Sequence, residues 1–146
     1  MEWDRDADIQ IAGFSMWVDG YQYPSSVDYW DGNWVRVRVV CTGEQATVKL
    51  MDACVHLPEL AAWLDECVKL QAGQADHATL PTMEPYLWAT IDHSGGYKGL
   101  LATIKLTPDN VSQFHEFRFP IDLTYLARLI QSLRVILARL PIRGKP

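Results

Sequence analysis

Three cysteines, Cys41, Cys54 and Cys67, are all the chain has. They show no C-x-x-C spacing and have no paired histidines nearby, which excludes a disulfide framework and the common zinc modules. Reduced, buried thiols are the expectation. No run approaches the roughly 18 apolar residues that a membrane span needs. The opening "MEWDRDADIQ" has no basic segment ahead of an apolar core, so it does not read as a secretory signal, and a cytoplasmic location away from membranes is expected. The sequence also lacks a phosphate loop, a G-x-G-x-x-G turn and a G-x-S-x-G elbow. His56, His77, His93 and His115 are dispersed, with no H-x-H or H-x-x-x-H pair, so neither metal nor cofactor is expected.

What is present is a globular composition, 49% hydrophobic and 21% charged, which argues against a disordered tail or a fibre. Its length suits one domain over residues 1–146 that buries about two-thirds of its unfolded surface. The net charge of −5 conceals an asymmetry. From Met1 to Asp31 seven acids stand against Arg5 alone, whereas from Arg118 onward six bases stand against Asp122 alone. The acidic total disfavours direct nucleic-acid binding, which needs a basic footprint.

Short strands recur at turn-bounded intervals. "IQIAGF" and "SMWVDGYQY" read as the first two, broken near Gly13. The third is marked by alternation: Val35, Val37 and Val39 point to one face and Trp34, Arg36 and Arg38 to the other. A two-residue turn at Gly43 and Glu44 predicts Val39 opposite Val48, Val37 opposite Leu50, and Arg38 opposite Lys49. Like charges directly opposite destabilise a sheet unless compensated. The acidic amino-terminal stretch can therefore act as an internal counter-charge for Arg36, Arg38 and Lys49, or stand free for a partner.

Pro58 suits a first helical turn, and Leu57, Leu60, Ala61, Leu64 and Val68 follow at helical spacing to a stop at Gly73, predicting a helix over 58–71. Gln71 to Pro85 reads as a long loop. "YLWATIDHSGGYKGLLATIKLTP" predicts a second hairpin turning at Gly95 and Gly96, and "FHEFRFPI" one more strand. Asp122 is a natural N-cap for a helix over 122–139 whose stripe is Leu123, Leu126, Ile130, Leu133 and Leu137. The expected fold is α+β: one twisted, mainly antiparallel sheet of about six to seven strands, with two amphipathic helices packed on it.

No catalytic constellation emerges. Asp92, His93 and His115 are the residues an enzyme would use, but neighbours on a strand point to opposite faces, so Asp92 beside His93 is not a dyad by adjacency. Ser94, Gly95 and Gly96 read as turn chemistry. In "YPSSVDYWDGNWVRVRVV", Asp31, Gly32 and Asn33 are turn formers, while Trp30 and Trp34 can pack where the chain enters the sheet. Asp28, Tyr29 and Asp31 remain candidate partner contacts.

"GYQYPSSVDYWDGNWVRVRV", "LPELAAWLDECVKL", "EPYLWATI" and "FRFPIDLTYLARLIQSLRVILARLPIRG" together resemble the WapI-type immunity proteins, from about Gly20 to Pro141. These are small cytoplasmic proteins encoded beside contact-dependent or polymorphic bacterial toxins. The resemblance implies a non-enzymatic binder that occludes a cognate toxin domain, commonly a nuclease. An acidic surface fits that role by mimicking a nucleic-acid backbone toward a basic cleft. "MEWDRDAD" lies outside the resembling part, so Asp4, Asp6 and Asp8 are partner candidates on charge alone. The rival expectations are a small-ligand or adaptor domain with an apolar groove between helix and sheet, and an enzyme acting through Asp92, His93 or His115.

Overall fold

The computed structural model describes residue 3, residues 5–95 and residues 99–146. Among these residues eight strands and two helices follow in the order β1 (Ile9–Ile11), β2 (Phe14–Tyr21), β3 (Trp34–Thr42), β4 (Thr47–His56), α1 (Leu57–Gln71), β5 (His77–Leu80), β6 (Leu87–Asp92), β7 (Leu100–Leu106), β8 (His115–Ile121) and α2 (Leu123–Arg139). The α+β class and both helices are as expected. The single sheet is not: β1-β2-β3-β4 and β5-β6-β7-β8 form two separate antiparallel sheets of four strands. The division has a local cause. After β4 the chain enters α1, which packs on β5 and α2, so the second half builds its own sheet instead of extending the first. Trp63, fully buried on α1, donates its indole N–H to the Ala78 carbonyl of β5 at 3.3 Å. That strand lies inside the stretch expected to be loop.

Both sheets bury the alternating face that period-two patterning demands. Val35, Val37 and Val39 face the core from the first sheet, while Leu80, Ala89, Ile91 and Ile104 face it from the second, and all belong to one apolar cluster. In the second sheet large and small side chains alternate across the ladder, Leu80 opposite Ala89 and Ile91 opposite Ala102. The sheets also meet at a turn. A Cβ on Gly13 would lie 2.0 Å from the Thr42 carbonyl and 3.1 Å from the Phe119 ring of β8, so only glycine fits there.

The β3–β4 register corrects the expected one. The turn spans four residues, so Thr42 pairs with Thr47, Val40 rather than Arg38 faces Lys49, and Val39 faces Leu50. A β-bulge then places Met51 and Asp52 together opposite Arg38, with Asp52 at φ 58°. The bulge restores the alternation, so Ala53 and Val55 are buried as Val48 and Leu50 are.

The helical stripes are rotated from those expected. On α1 the buried apolar residues are Leu57, Leu60, Trp63, Cys67 and Leu70, with Leu64 and Val68 flanking. On α2, Leu126, Leu129, Ile130, Leu133 and Ile136 are buried, Leu123 is exposed and Leu137 partly buried. Asp122 caps α2 by accepting from Thr124 N–H and Tyr125 N–H at 2.9 and 3.3 Å. Cys41 and Cys67 are buried free thiols, each pushed up to about 12 by burial, which keeps them protonated and inert. The side chain of Cys54 and the glycine turn at Gly96 lie outside the described residues. No helix among the described residues is long and apolar enough to cross a membrane.

Candidate partner-binding surface

The acids of the first thirty-one residues fall into two kinds, engaged and free. Asp8 accepts from the Val18 N–H at 2.7 Å, from both terminal nitrogens of Arg5, and from Arg139 at 2.9 Å. Burial alone pushes its carboxyl up, but these cationic and backbone donors outweigh it and hold Asp8 below the usual carboxylate range. Asp19 meets the buried Arg38 guanidinium at 2.7 and 2.8 Å and Arg5 at 3.3 Å, and the Arg38 bonds hold its carboxyl low. Arg38 also lies 4.7 Å from the Trp3 ring centroid and 5.4 Å from that of Trp17. The amino-terminal segment thus covers the outer face of the first sheet. Asp19 serves there as the counter-charge to both Arg38 and Arg5, and the pairing of Asp8 with Arg139 ties the acidic start of the chain to its basic end. Asp6 is exposed, and Asp4 lies outside the described residues.

Residues 21–34 form a tightly held loop. Asp28 Oδ2 accepts from Trp30 N–H and Asp31 N–H at 3.0 and 3.1 Å, starting the 3-10 turn Asp31–Asn33. The buried Asn33 donates to the carbonyls of Tyr29 and Arg143 and accepts from Arg143 N–H at 2.8 Å. Arg143 donates to the carbonyls of Tyr23, Pro24 and Gly32, and its guanidinium lies 3.7 Å from the Tyr21 ring centroid. From the other side His56 Nε2 sits 3.2 and 3.0 Å from the carbonyls of Tyr29 and Trp30; carbonyls only accept, so that nitrogen carries the proton. The His56 ring stacks on Trp30 at 6° between planes. Asp28 and Tyr29 are therefore structural members of the loop, and Asp31 is exposed.

Beside this loop opens a concavity of about 360 Å³, lined by Tyr23, Asp31 and Trp34 from the loop and β3, Asp52 from the β4 bulge, and Glu84 and Tyr86 from the turn before β6. No lysine, arginine or histidine lines it among the described residues, and none of its three carboxylates accepts a hydrogen bond or joins an ion pair. The backbone just before Glu84 is fixed by Glu59, which accepts from His56 N–H at 2.8 Å and from Met83 N–H at 2.6 Å. Burial raises the Glu59 carboxyl against those two bonds. Sequence reading found Asp31 but not Asp52, Tyr23, Glu84 or Tyr86, because their convergence depends on the bulge and on a strand that was read as loop.

The residues an enzyme would use are not assembled. Asp92 and His93 share a shallow depression with Asp76, His77 and Ser94, and Asp92 accepts from Ser94 N–H at 2.8 Å as a turn bond. His115 lies in a different one, against Phe114 and Glu116, with Nε2 3.2 Å from Gln113. Among the described residues no three His, Cys, Asp or Glu side chains are placed to hold a metal ion.

The family model described as "Immunity protein WapI-like family" matches residues 7–141. The chain belongs to that family. The match begins at Ala7, so it takes in Asp8, β1 and the start of β2, which the sequence resemblance from Gly20 left out. Immunity proteins act in general by neutralising a toxin, and are in general not enzymes. No curated protein matches the chain. Among solved structures, a chain from a guide-RNA-binding protein complex bound to a guide RNA aligns at 11% identity, covering 88% of this chain and 92% of that one, with a TM-score of 0.46.

Proposed function

We propose that this immunity protein works in the cytoplasm as one domain over residues 1–146, binding a cognate toxin domain, a nuclease, and occluding it without turnover, cofactor or metal. Membership of the immunity family over residues 7–141 carries the reading. The nuclease assignment is supported by charge: a net −5 complements the basic cleft that a nuclease presents to phosphates, and favours fast association with it. Of the acids near the amino terminus, Asp6, Asp28 and Asp31 are exposed and serve as contacts. Asp8 acts through the fold, since its oxygens are held by Arg5, Arg139 and Val18, while Tyr29, and Asp28 through its Oδ2, also shape the loop.

Co-expression with the toxin domain encoded beside this gene tests the proposal. Protected growth and a complex that survives purification are the expected results. Unprotected growth with no complex would contradict it, as would a purified protein that turns over a substrate and loses that activity on His93→Ala.

A further inference from the structure

From the geometry of the concavity we infer that it is the face on which the toxin is met, and that it takes a toxin segment presenting lysine or arginine beside an apolar side chain. The inference rests on the immunity reading above. Three segments distant in sequence bring an acid to the concavity, Asp31, Asp52 and Glu84, beside the aromatic rings of Tyr23, Trp34 and Tyr86, and the residue directly before each acid is a large exposed apolar one, Trp30, Met51 or Met83. Trp30, Met51 and Met83 are 54%, 42% and 57% exposed, and Tyr23 in the lining is 49% exposed. Exposed apolar side chains are ordinarily scattered singly; several in the segments that form one depression, with Tyr23, Trp34 and Tyr86 lining it, mark an interaction surface. This concentration is independent of the acids.

The acids add the sign of the occupant. Asp8 and Asp19 have cationic partners within the chain, whereas Asp31, Asp52 and Glu84 have none, and Glu84 lies near enough to Glu59 to raise its carboxyl further. Arg143, which reaches the same loop from behind, is committed to backbone carbonyls. Complementarity therefore calls for a cation, and the flanking tryptophan and methionines for apolar atoms next to it. Each pair is also held in place before binding. Trp30 and Asp31 are fixed by Asp28, Asp52 by the bulge, and Met83 by Glu59, so little ordering entropy opposes docking.

The test compares binding kinetics of four variants with the purified toxin domain encoded beside this gene. Trp30→Ala with Met83→Ala should speed dissociation by about tenfold or more, because buried aromatic anchors act on residence time. Asp31→Asn, Asp52→Asn and Glu84→Gln together should slow association by about tenfold at low salt and flatten its salt dependence, with the thermal midpoint unchanged. Asparagine is tolerated at positive φ, so the middle change respects the bulge. Met83→Ala alone guards against a fold effect of removing Trp30 from His56. Val111→Ala with Phe114→Ala, at the most exposed apolar positions elsewhere, should change neither rate. Wild-type binding with all sets unchanged, or weakened only by the Val111 and Phe114 set, overturns this surface and leaves the immunity reading standing. Failure of the wild type itself to bind overturns both.

Discussion

Asp8 and Asp19 carry the clearest consequence of single side chains. Both carboxyls are held below their ordinary value in the folded chain, so near pH 4 the unfolded chain binds more protons than the folded one. Their stabilisation is complete above the ordinary carboxylate pKa of about 3.9 and is lost as pH falls through the lower folded values. Glu59 has the opposite sign: its raised carboxyl takes up a proton earlier in the folded chain, so its contribution grows as pH falls. At pH 7, Asp19→Asn should cost roughly 1.5–3 kcal/mol, since it replaces charge-assisted bonds to a buried guanidinium. Urea midpoints of the Asp8→Asn, Asp19→Asn double variant should decline less steeply between pH 5 and pH 2 than those of the wild type. Parallel declines would show that these pairs do not set the acid limb.

At the scale of elements, the leucine pattern of α2 gives a sharper forecast after rotation of the stripe. Leu126→Ala and Leu133→Ala empty fully buried volume and should each cost roughly 2–5 kcal/mol in denaturant unfolding. Leu123→Ala, at a position 62% exposed, should stay within about 0.5 kcal/mol; equal losses at all three would refute the assignment of the buried face. Both helices, their proline and aspartate starts and most strands were legible in the sequence, because periodicity and capping are local. β5 was not, since four residues between Gly73 and Pro81 are too few for a pattern to emerge, and only Trp63 on α1 explains why they extend. The register slipped because Gly43 and Glu44 satisfy the rule for a tight turn equally well, while the bulge at Asp52 has no local signature. Of the concavity only Asp31 could be found, as its companions come from that bulge and from the turn following β5.

For the whole molecule, the charge asymmetry resolves into two roles. Part of it is internal: Asp8 with Arg139 and the 21–34 loop with Arg143 fasten the ends of the chain to the first sheet. Asp31, from the acidic start, stands instead beside Asp52 and Glu84 in the concavity, the face proposed above for the toxin. The function proposed above is stoichiometric occlusion, in contrast to an enzyme that inactivates its target repeatedly. The most direct measurement is a titration of the nuclease activity proposed for the purified toxin domain with the purified immunity protein at concentrations far above their dissociation constant. The account predicts a linear fall in activity that ends at one equivalent, with the toxin recovered intact from the complex. Activity persisting past equivalence, or extinguished by a small fraction of an equivalent, would contradict it.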